Sequence, residues 1–184
     1  MLKKEIDGVV EYTPRRFGDD RGYFAETFNA RTYENLGIRG AFVQDNESLS
    51  AEPGTVRGLH FQMAPSPQGK LIRIIRGAAL DVAVDLRVGS ETFGDHVAVR
   101  LDGATGNQLW IPPGFAHGFC TLEPDTLVAY KVTAYHDPET DRCILWTDPE
   151  LGIDWPVDVA SATLSAKDAA APLLADLGDP TTFF

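Results

Sequence analysis

Apolar and polar residues alternate with a period of two through the middle of the chain. One set of alternating positions is apolar, namely Leu80, Val82, Val84 and Leu86. The positions between them include Asp81 and Asp85, and residues 97–101 repeat the pattern. Because successive side chains of a β-strand point to opposite faces, the alternation predicts half-buried antiparallel strands with these aspartates on the polar face.

Several further segments have the composition and length of strands. They cover residues 70–75, 108–111, 118–122, 126–135 and 143–146. Turn sequences such as Asp102-Gly103 and Pro112-Pro113-Gly114 separate them, and helical patterns are confined to short pieces around residues 30–36 and 169–177. Short strands without long helices between them predict an all-β fold, a sandwich or barrel with short peripheral helices.

Length and composition limit the domain organisation. The chain has 184 residues, of which 43% are hydrophobic and 10% aromatic. This length is typical of one domain, and the apolar content is sufficient to form a core and offset the entropy of the chain. Since no internal repeat, charge block or low-complexity linker interrupts the sequence, we expect a single domain over residues 1–184.

The charge balance excludes some partners. The chain contains 16 Lys and Arg against 27 Asp and Glu, which gives a formal net charge of −11. Nonspecific nucleic-acid binding needs a basic surface that displaces counterions from phosphates, so we expect no nucleic-acid partner. A small anionic ligand would need a local basic pocket.

The N-terminal sequence and the cysteines bear on the cellular location. The chain begins Met-Leu-Lys-Lys-Glu without an apolar signal-peptide stretch, and nowhere does it contain an apolar run long enough to span a membrane. Cys120 and Cys143 match no disulfide framework or zinc-site spacing. We therefore expect a cytoplasmic protein with no membrane partner.

Two segments have the spacing of the paired cupin motifs. The second motif runs from Gly106 through Pro112 and Gly114 to His117, and the first contains Gly54, His60 and Gly77. In cupins these hairpins place polar side chains in the mouth of a small barrel. The spacing therefore predicts a cupin-like double-stranded β-helix, which is a jelly-roll barrel.

The first motif lacks the ligands of a metal-binding cupin. Such proteins carry His-x-His and a nearby Glu there, whereas this chain has Gln62 at the second histidine position and no acid between Gln62 and Lys70. Two histidines alone make a poor transition-metal site. We predict no metal, which disfavours a metal-dependent cupin oxygenase.

Several short sequences together carry a specific resemblance. They are Phe17-Gly-Asp-Asp-Arg21-Gly-Tyr-Phe-Ala-Glu26, Phe42-Val-Gln-Asp-Asn46, Val56-Arg-Gly-Leu-His60-Phe-Gln62, Gln68-Gly-Lys70, Leu109-Trp-Ile-Pro-Pro-Gly-Phe-Ala-His-Gly118, Tyr130-Lys131, residues 146–156 and Leu164-Ser-Ala-Lys-Asp168. From about residue 5 to 175 the chain resembles the dTDP-4-dehydrorhamnose 3,5-epimerase family. The resemblance implies an isomerase that converts dTDP-4-dehydro-6-deoxy-D-glucose to dTDP-4-dehydro-L-rhamnose.

The implied reaction needs no cofactor. A 4-keto sugar has acidic C–H bonds at C3 and C5, so epimerisation requires a base, an acid on the opposite face and stabilisation of an enolate. The chain also lacks a G-x-G-x-x-G nucleotide loop. Two alternatives stay open, an epimerase that acts at C3 or C5 only and a noncatalytic cupin that binds sugar nucleotides.

The resemblance assigns four catalytic residues. His60 is the base, because a neutral imidazole can accept a carbon-bound proton, and Asp168 would stabilise the imidazolium. Tyr130 is the acid, and Lys70 would lie near O4, where negative charge develops. Each residue also has a structural interpretation: His60 as a core histidine, Tyr130 as a packed aromatic, and Asp168 as part of a capping box with Ser165.

The resemblance also implies a nucleoside diphosphate sugar as ligand and a homodimer as the assembly, in which the pocket borrows residues from the partner. The implied binding residues are Arg21, Glu26, Gln44, Asp45, Asn46, Arg57, Lys70, His117, Asp141 and Lys167. The guanidinium groups of Arg21 and Arg57 suit a diphosphate. Glu26 would equally form a surface salt bridge, and His117 would contact substrate or orient its neighbours.

Three positions depart from the usual family sequence. Phe61 and Asp141 replace a frequent Tyr and a frequent Glu, and Tyr135-His136 replaces a frequent Tyr-Tyr pair. An aromatic platform for thymine is expected, with Phe24 or Tyr135 as candidates. The departures leave the base, the acid and the aspartate partner in place, and they concern the nucleotide pocket and the choice of sugar.

Overall fold

The computed structural model describes residues 6–184. Within this range the strands are β1 (Val10–Tyr12), β2 (Arg16–Asp19), β3 (Gly22–Ala25), β4 (Gln44–Ser50), β5 (Val56–Gln62), β6 (Lys70–Arg76), β7 (Ala78–Asp85), β8 (His96–Asp102), β9 (Gln108–Ile111), β10 (Phe115–Thr121), β11 (Thr126–Val132) and β12 (Asp141–Cys143). The helices are α1 (Ala30–Asn35) and α2 (Ala166–Ala169), with single 3-10 turns at Leu174–Asp176 and Pro180–Thr182. None of the helices described is long and apolar enough to cross a membrane.

Most strands belong to two five-stranded sheets. The first sheet has the order β1-β9-β6-β11-β4 and the second the order β12-β5-β10-β7-β8, while β2 and β3 form a separate hairpin. The paired strands within each sheet run antiparallel. The architecture is the predicted all-β, cupin-like barrel with short peripheral helices.

The main core lies between the two sheets. Ile72 and Ile74 of the first sheet pack in one cluster with Leu101, Phe115 and Phe119 of the second. Each such side chain contributes about 1.5–3 kcal/mol when it leaves water. This apolar core holds the two sheets face to face.

The central strand β7 differs from the sequence prediction. Its alternation predicted one solvent-facing side, but Asp81 and Asp85 are both fully buried. Val82 and Val84, on the other face, pack in a cluster that includes Phe183 from the C-terminus. Because the C-terminal segment covers the outer face of this sheet, β7 is buried on both faces, and the half-buried prediction for it is wrong.

Two predicted elements near the C-terminus also differ. The strand predicted over 143–146 ends at Cys143, although the backbone of Ile144 still exchanges hydrogen bonds with Leu59 of β5. The helix predicted over 169–177 is replaced by α2, which ends at Ala169, and by the separate 3-10 turn at Leu174–Asp176. Pro172 lies between them, and proline disfavours a continuous helix.

Candidate active site

Close contact between strands β5 and β10 brings two histidines together. His60 of β5 lies directly opposite His117 of β10 in the antiparallel register. Gly58 permits this approach, because its φ is +128° and an added Cβ would lie 2.5 Å from the Cα of Gly118. Only glycine fits such a backbone position without strain.

His60 forms a hydrogen-bonded pair with Asp168. Its Nε2 lies 2.5 Å from Oδ1 of Asp168, and the side chains are 33% and 4% exposed respectively. Burial raises the pKa of Asp168, but hydrogen bonds from His60 and Ser165 hold it below its usual value. The carboxylate therefore stays charged, accepts the Nε2 proton, and leaves Nδ1 as the ring nitrogen that can accept another.

The first turn of α2 positions this carboxylate. Ser165 is the N-cap residue, and its Oγ accepts a hydrogen bond of 3.1 Å from the backbone N–H of Asp168. The capping interpretation and the functional interpretation of Asp168 are therefore compatible. The cap fixes the backbone of Asp168 while its side chain reaches His60.

Lys70 begins β6 on the opposite sheet. Its ammonium group lies 3.3 Å from the backbone carbonyl oxygen of His60, and the side chain is buried. Burial lowers the pKa of Lys70 to about 8, while the nearby charges of Asp141 and Asp81 oppose that shift. Lys70 therefore carries a positive charge at neutral pH and loses it in mild alkali.

Tyr130 lies on β11 of the first sheet, facing the sheet that carries His60. It is opposite Asn46 of β4 and Ile72 of β6 in the register. Burial raises its pKa, and the charge of Arg57 opposes this effect. The phenol is therefore protonated at neutral pH, so a proton donor and a proton acceptor lie on facing sheets.

These groups share one cavity of about 540 Å³. Its described lining consists of Gln44, Asn46, His60, Phe61, Gln62, Gln68, Lys70, Tyr130, His136, Asp141 and Lys167. Asp141 is the single acid among these lining residues, and Lys167 forms an ion pair with it. With Lys70 positive as well, this part of the acidic protein is suited to an anionic ligand.

Other predicted binding residues lie away from this cavity within the chain. Arg21, at the turn of the β2–β3 hairpin, is 89% exposed and pairs with Asp19. Glu26 and Asp45 line a neighbouring cavity of about 350 Å³. Arg57 donates hydrogen bonds to the Ser50 hydroxyl and to a backbone carbonyl of β4. The chain therefore brings together part of the predicted binding set.

His117 has a buried partner that the sequence did not reveal. Its Nε2 lies 3.0 Å from both carboxylate oxygens of Asp81. Burial lowers the pKa of His117, with Asp81 opposing the shift. The alternation of β7 predicted that Asp81 lies on a polar outer face. The His117–Asp81 pair therefore could not be predicted from the pattern. A charged residue in a strand as apolar as β7 was the available signal.

The predicted aromatic platforms are not in the cavity. Phe24 is 70% exposed on the hairpin, and Tyr135 is 68% exposed. The next residue, His136, lines the cavity instead. His136 is therefore the aromatic residue of this segment that reaches the cavity, and its departure from the usual family sequence was the available signal.

One group of side chains has the proximity of a metal site. Single ligand atoms of His60, Cys143 and Asp168 lie within 4.8 Å of one another. Burial and the adjacent Asp168 raise the pKa of Cys143 to about 12, so the thiol keeps its proton in this arrangement. The carboxylate already accepts the hydrogen bond from His60. The group is therefore arranged as a hydrogen-bonded trio, and metal independence stays a prediction.

The fold and the cavity together define a class of protein. A cupin-like barrel with a His–Asp pair, a protonated tyrosine and a buried lysine around one cavity has the groups of an acid–base isomerase. The chain belongs to the dTDP-4-dehydrorhamnose 3,5-epimerase family, whose sequence model matches residues 3–176. It is thus an isomerase, as its sequence implied.

Individual relatives support the same assignment. A dTDP-4-dehydrorhamnose 3,5-epimerase of Sinorhizobium fredii is 53% identical over 170 residues, 92% of this chain and 86% of the relative. The Bacillus anthracis epimerase, solved with TDP and PPi bound, is 49% identical, with a TM-score of 0.89 over 94% of this chain and 98% of that chain. The Legionella pneumophila epimerase, solved with dTDP-4-keto-L-rhamnose, is 46% identical, with a TM-score of 0.91 over 99% and 95%.

Proposed function

We propose that this isomerase converts dTDP-4-dehydro-6-deoxy-D-glucose to dTDP-4-dehydro-L-rhamnose by inverting C3 and C5. The observation that carries the proposal is the His60–Asp168 pair in a cavity shared with Tyr130 and Lys70. The family match and the names of the relatives support the same substrate. They do not favour the alternative of an epimerase that acts at one carbon.

His60 removes the proton in each inversion. The C–H bond next to the 4-keto group breaks, its proton passes to the free ring nitrogen of His60, and its electron pair forms the enolate. Asp168 accepts the other ring N–H and stabilises the imidazolium that results. The partial exposure of His60 leaves its ring open to the cavity while its partner stays out of water.

Lys70 stabilises the enolate. Negative charge develops on O4 as the carbon loses its proton, and a positive group in a water-poor site stabilises such charge strongly. The buried ammonium next to the His60 strand provides this charge at neutral pH.

Tyr130 returns a proton to the opposite face of the carbon. It lies on the sheet facing His60, and its raised pKa keeps it protonated until the enolate forms. The phenol O–H gives its proton to carbon, and exchange with solvent then restores both residues before the second inversion. The separation of donor and acceptor on facing sheets supports inversion rather than simple exchange.

The nucleotide portion binds through the remaining polar groups. A 2.7 Å hydrogen bond joins the side chains of Gln44 and Asn46 at the cavity wall. Lys167 and Asp141, which form an ion pair, line the same cavity. We assign Arg57 to the diphosphate, and His117 to the orientation of its neighbours, because it is buried against Asp81. Glu26, Asp45 and Arg21 lie outside this cavity within one chain. For them to contact the substrate, a second contributor to the site is needed.

We infer that this contributor is a second copy of the chain. The hairpin exposes Phe17, Tyr23 and Phe24, and the outer face of the first sheet exposes Leu49 and Ile75. Exposed apolar groups of this size on adjoining elements are typical of an interface. A homodimer would cover them and would allow Arg21 of one copy to reach the cavity of the other.

Proton exchange tests the reaction. In deuterium oxide with the 4-keto sugar nucleotide, NMR should detect deuterium at both C3 and C5, and the product should have the L-rhamno configuration. Label at a single carbon would select the single-position epimerase. Absence of any label in folded protein would overturn the catalytic proposal and leave a sugar-nucleotide-binding protein.

Mixed dimers test the shared site. Variants Arg21→Ala and His60→Ala are each expected to lack activity when pure. If Arg21 acts across the interface, mixed dimers contain one cavity with both wild-type groups, so that activity returns after subunit exchange. Activity that does not return in mixed dimers verified by mass spectrometry would place Arg21 and His60 at the same subunit's site.

We also propose that residues 1–184 form one domain. The continuous barrel and the family match over residues 3–176 support this organisation. The cytoplasmic location stays a prediction from the sequence.

A further inference from the structure

Cys143 contacts the His60–Asp168 pair from a third element. It ends strand β12 and lies directly opposite His60 of β5 in the register. Its sulfur is 3.6 Å from Oδ1 of Asp168, the same oxygen that lies 2.5 Å from Nε2 of His60. One carboxylate oxygen therefore has two donors, an imidazole N–H and a thiol S–H.

The protonation state of the thiol makes it a donor. Burial and the adjacent Asp168 raise the pKa of Cys143 to about 12, so the sulfur keeps its proton at neutral pH. The competing acceptor is the carbonyl oxygen of Ile144 at 3.8 Å, which is farther than the carboxylate and uncharged. Hydrogen bonds to charged acceptors are stronger, so the carboxylate is the favoured partner.

We propose that Cys143 is a positioning residue whose S–H donates to Oδ1 of Asp168 and so limits how strongly this carboxylate holds the His60 imidazolium. The inference rests on the proposed role of His60 as base. A second donor takes up part of the negative charge on Oδ1 and restrains the carboxylate rotation. Loss of this donor would leave more negative charge on Oδ1 and would strengthen the hold of the carboxylate on the imidazolium.

Other charged groups surround the trio. Lys167 and Asp141, paired with each other, act on Cys143, and Lys70 and His117 lie on the far side of His60. Each remains in place when only Cys143 changes. A difference between Cys143 variants therefore reports the donor on Oδ1.

The first experiment compares the pH dependence of kcat/KM for Cys143→Ala and Cys143→Ser. The alanine variant loses the donor, so we expect the midpoint of the acidic limb to rise by about 0.5 pH unit, with a roughly threefold loss of kcat/KM below the midpoint. The serine variant keeps an O–H donor, so its midpoint should stay at or below that of the wild type.

Cys120 provides the matched control. It is the other cysteine of the chain, fully buried on β10, and its sulfur contacts the carbonyl of Thr121 at 3.7 Å rather than the catalytic carboxylate. Cys120→Ala should change thermal stability without moving the pH profile. If Cys143→Ala behaves like this control, or if Ala and Ser shift the midpoint equally, the positioning role is wrong and Cys143 only fills space.

A spectroscopic experiment tests the hydrogen bond without relying on activity. Cys120→Ala leaves Cys143 as the single thiol, and its S–H stretching band lies clear of water and amide absorption. We expect a band shifted to low frequency by the carboxylate, which moves back when Asp168→Asn is added. A band at the free-thiol frequency would overturn the proposal. The proposed function fails separately, if His60→Ala retains proton exchange.

Discussion

Two histidine–aspartate pairs lie side by side in this barrel, and their surroundings separate their roles. His60 and His117 are directly opposite each other on neighbouring strands, and each binds one aspartate through Nε2. The His60 side chain is 33% exposed and borders the cavity, whereas the His117 side chain is 9% exposed. The two imidazole groups are chemically the same, but only that of His60 is accessible to a substrate in the cavity.

Burial also affects the acid–base behaviour of His117. Loss of hydration lowers the pKa of His117 despite the charge of Asp81, and the adjacent Lys70 and His60 lower it further. A buried imidazole of this kind is a poor proton acceptor at neutral pH. The charge of Asp81 also acts on Lys70, where it opposes the effect of burial. In the proposed mechanism, the pair with substrate access takes the proton, and the buried pair supports the lysine that we assign to the enolate.

The largest expected effect is a loss of activity when the His60–Asp168 pair is broken. His60→Ala should lower proton exchange at C3 and C5 by about 10²–10⁴-fold, because the general base is lost. Its free energy of unfolding should also fall, because the buried carboxylate of Asp168 loses its partner. His96→Ala, on edge strand β8, is the matched histidine control and should retain full exchange. Exchange in His60→Ala at the rate of this control would refute the base assignment.

The second largest effect concerns Lys70, where we expect a substitution to lower activity and raise stability. Lys70→Met should lower kcat by about 10²-fold through loss of enolate stabilisation. Because the folded pKa of about 8 lies below that of an unfolded lysine, the ammonium destabilises the folded state at neutral pH. Its removal should therefore raise the free energy of unfolding by about 1–3 kcal/mol.

The same pKa predicts the alkaline limb of the wild-type enzyme. As pH rises through about 8, Lys70 loses its charge and kcat/KM should fall. Lys70→Arg keeps a charge that does not titrate in this range, so its residual activity should show no such limb. An unchanged limb in Lys70→Arg, measured over the same pH range, would assign the titration to another group.

The third effect should appear mainly in stability. His117→Ala removes the partner of a fully buried carboxylate, which should cost about 3 kcal/mol in denaturant unfolding. Replacing both members, in Asp81→Asn with His117→Ala, should recover part of this loss because no buried charge remains. A His117→Ala variant as stable as the wild type would show that the imidazole does not stabilise the buried Asp81.

The sequence predicts the barrel better than it predicts these pairs. Alternation located β7 and β8, because period-two patterning follows directly from strand geometry. It misplaced Asp81, because the C-terminal segment that covers the sheet comes from a distant part of the chain. Local pattern carries no information on which distant segment covers a face.

Contacts between residues far apart in the sequence limit the prediction of the site in the same way. Asp168 lies 108 residues after His60, and the contact between them depends on how α2 packs beside β5. The residues themselves indicated a helix cap, and the resemblance alone indicated the pair. The sequence indicated no contact of Cys143 with the site and only a departure at His136, because both positions depend on strand register and on how the cavity wall is formed. Arg21 was placed at the substrate, but within one chain it stays on the exposed hairpin.

The smallest expected effect tests how the two aspartates are held. Asp81 belongs to a central strand, whereas Asp168 belongs to a four-residue helix whose N-cap is Ser165. Ser165→Ala removes the acceptor for the Asp168 N–H and should cost about 1 kcal/mol of local stability. We expect kcat to fall by about fivefold with KM unchanged, while Ser165→Asp, which restores a cap, should regain most of the loss. Equal kcat in Ser165→Ala and wild type would show that β5 and β12 hold the carboxylate without help from the helix.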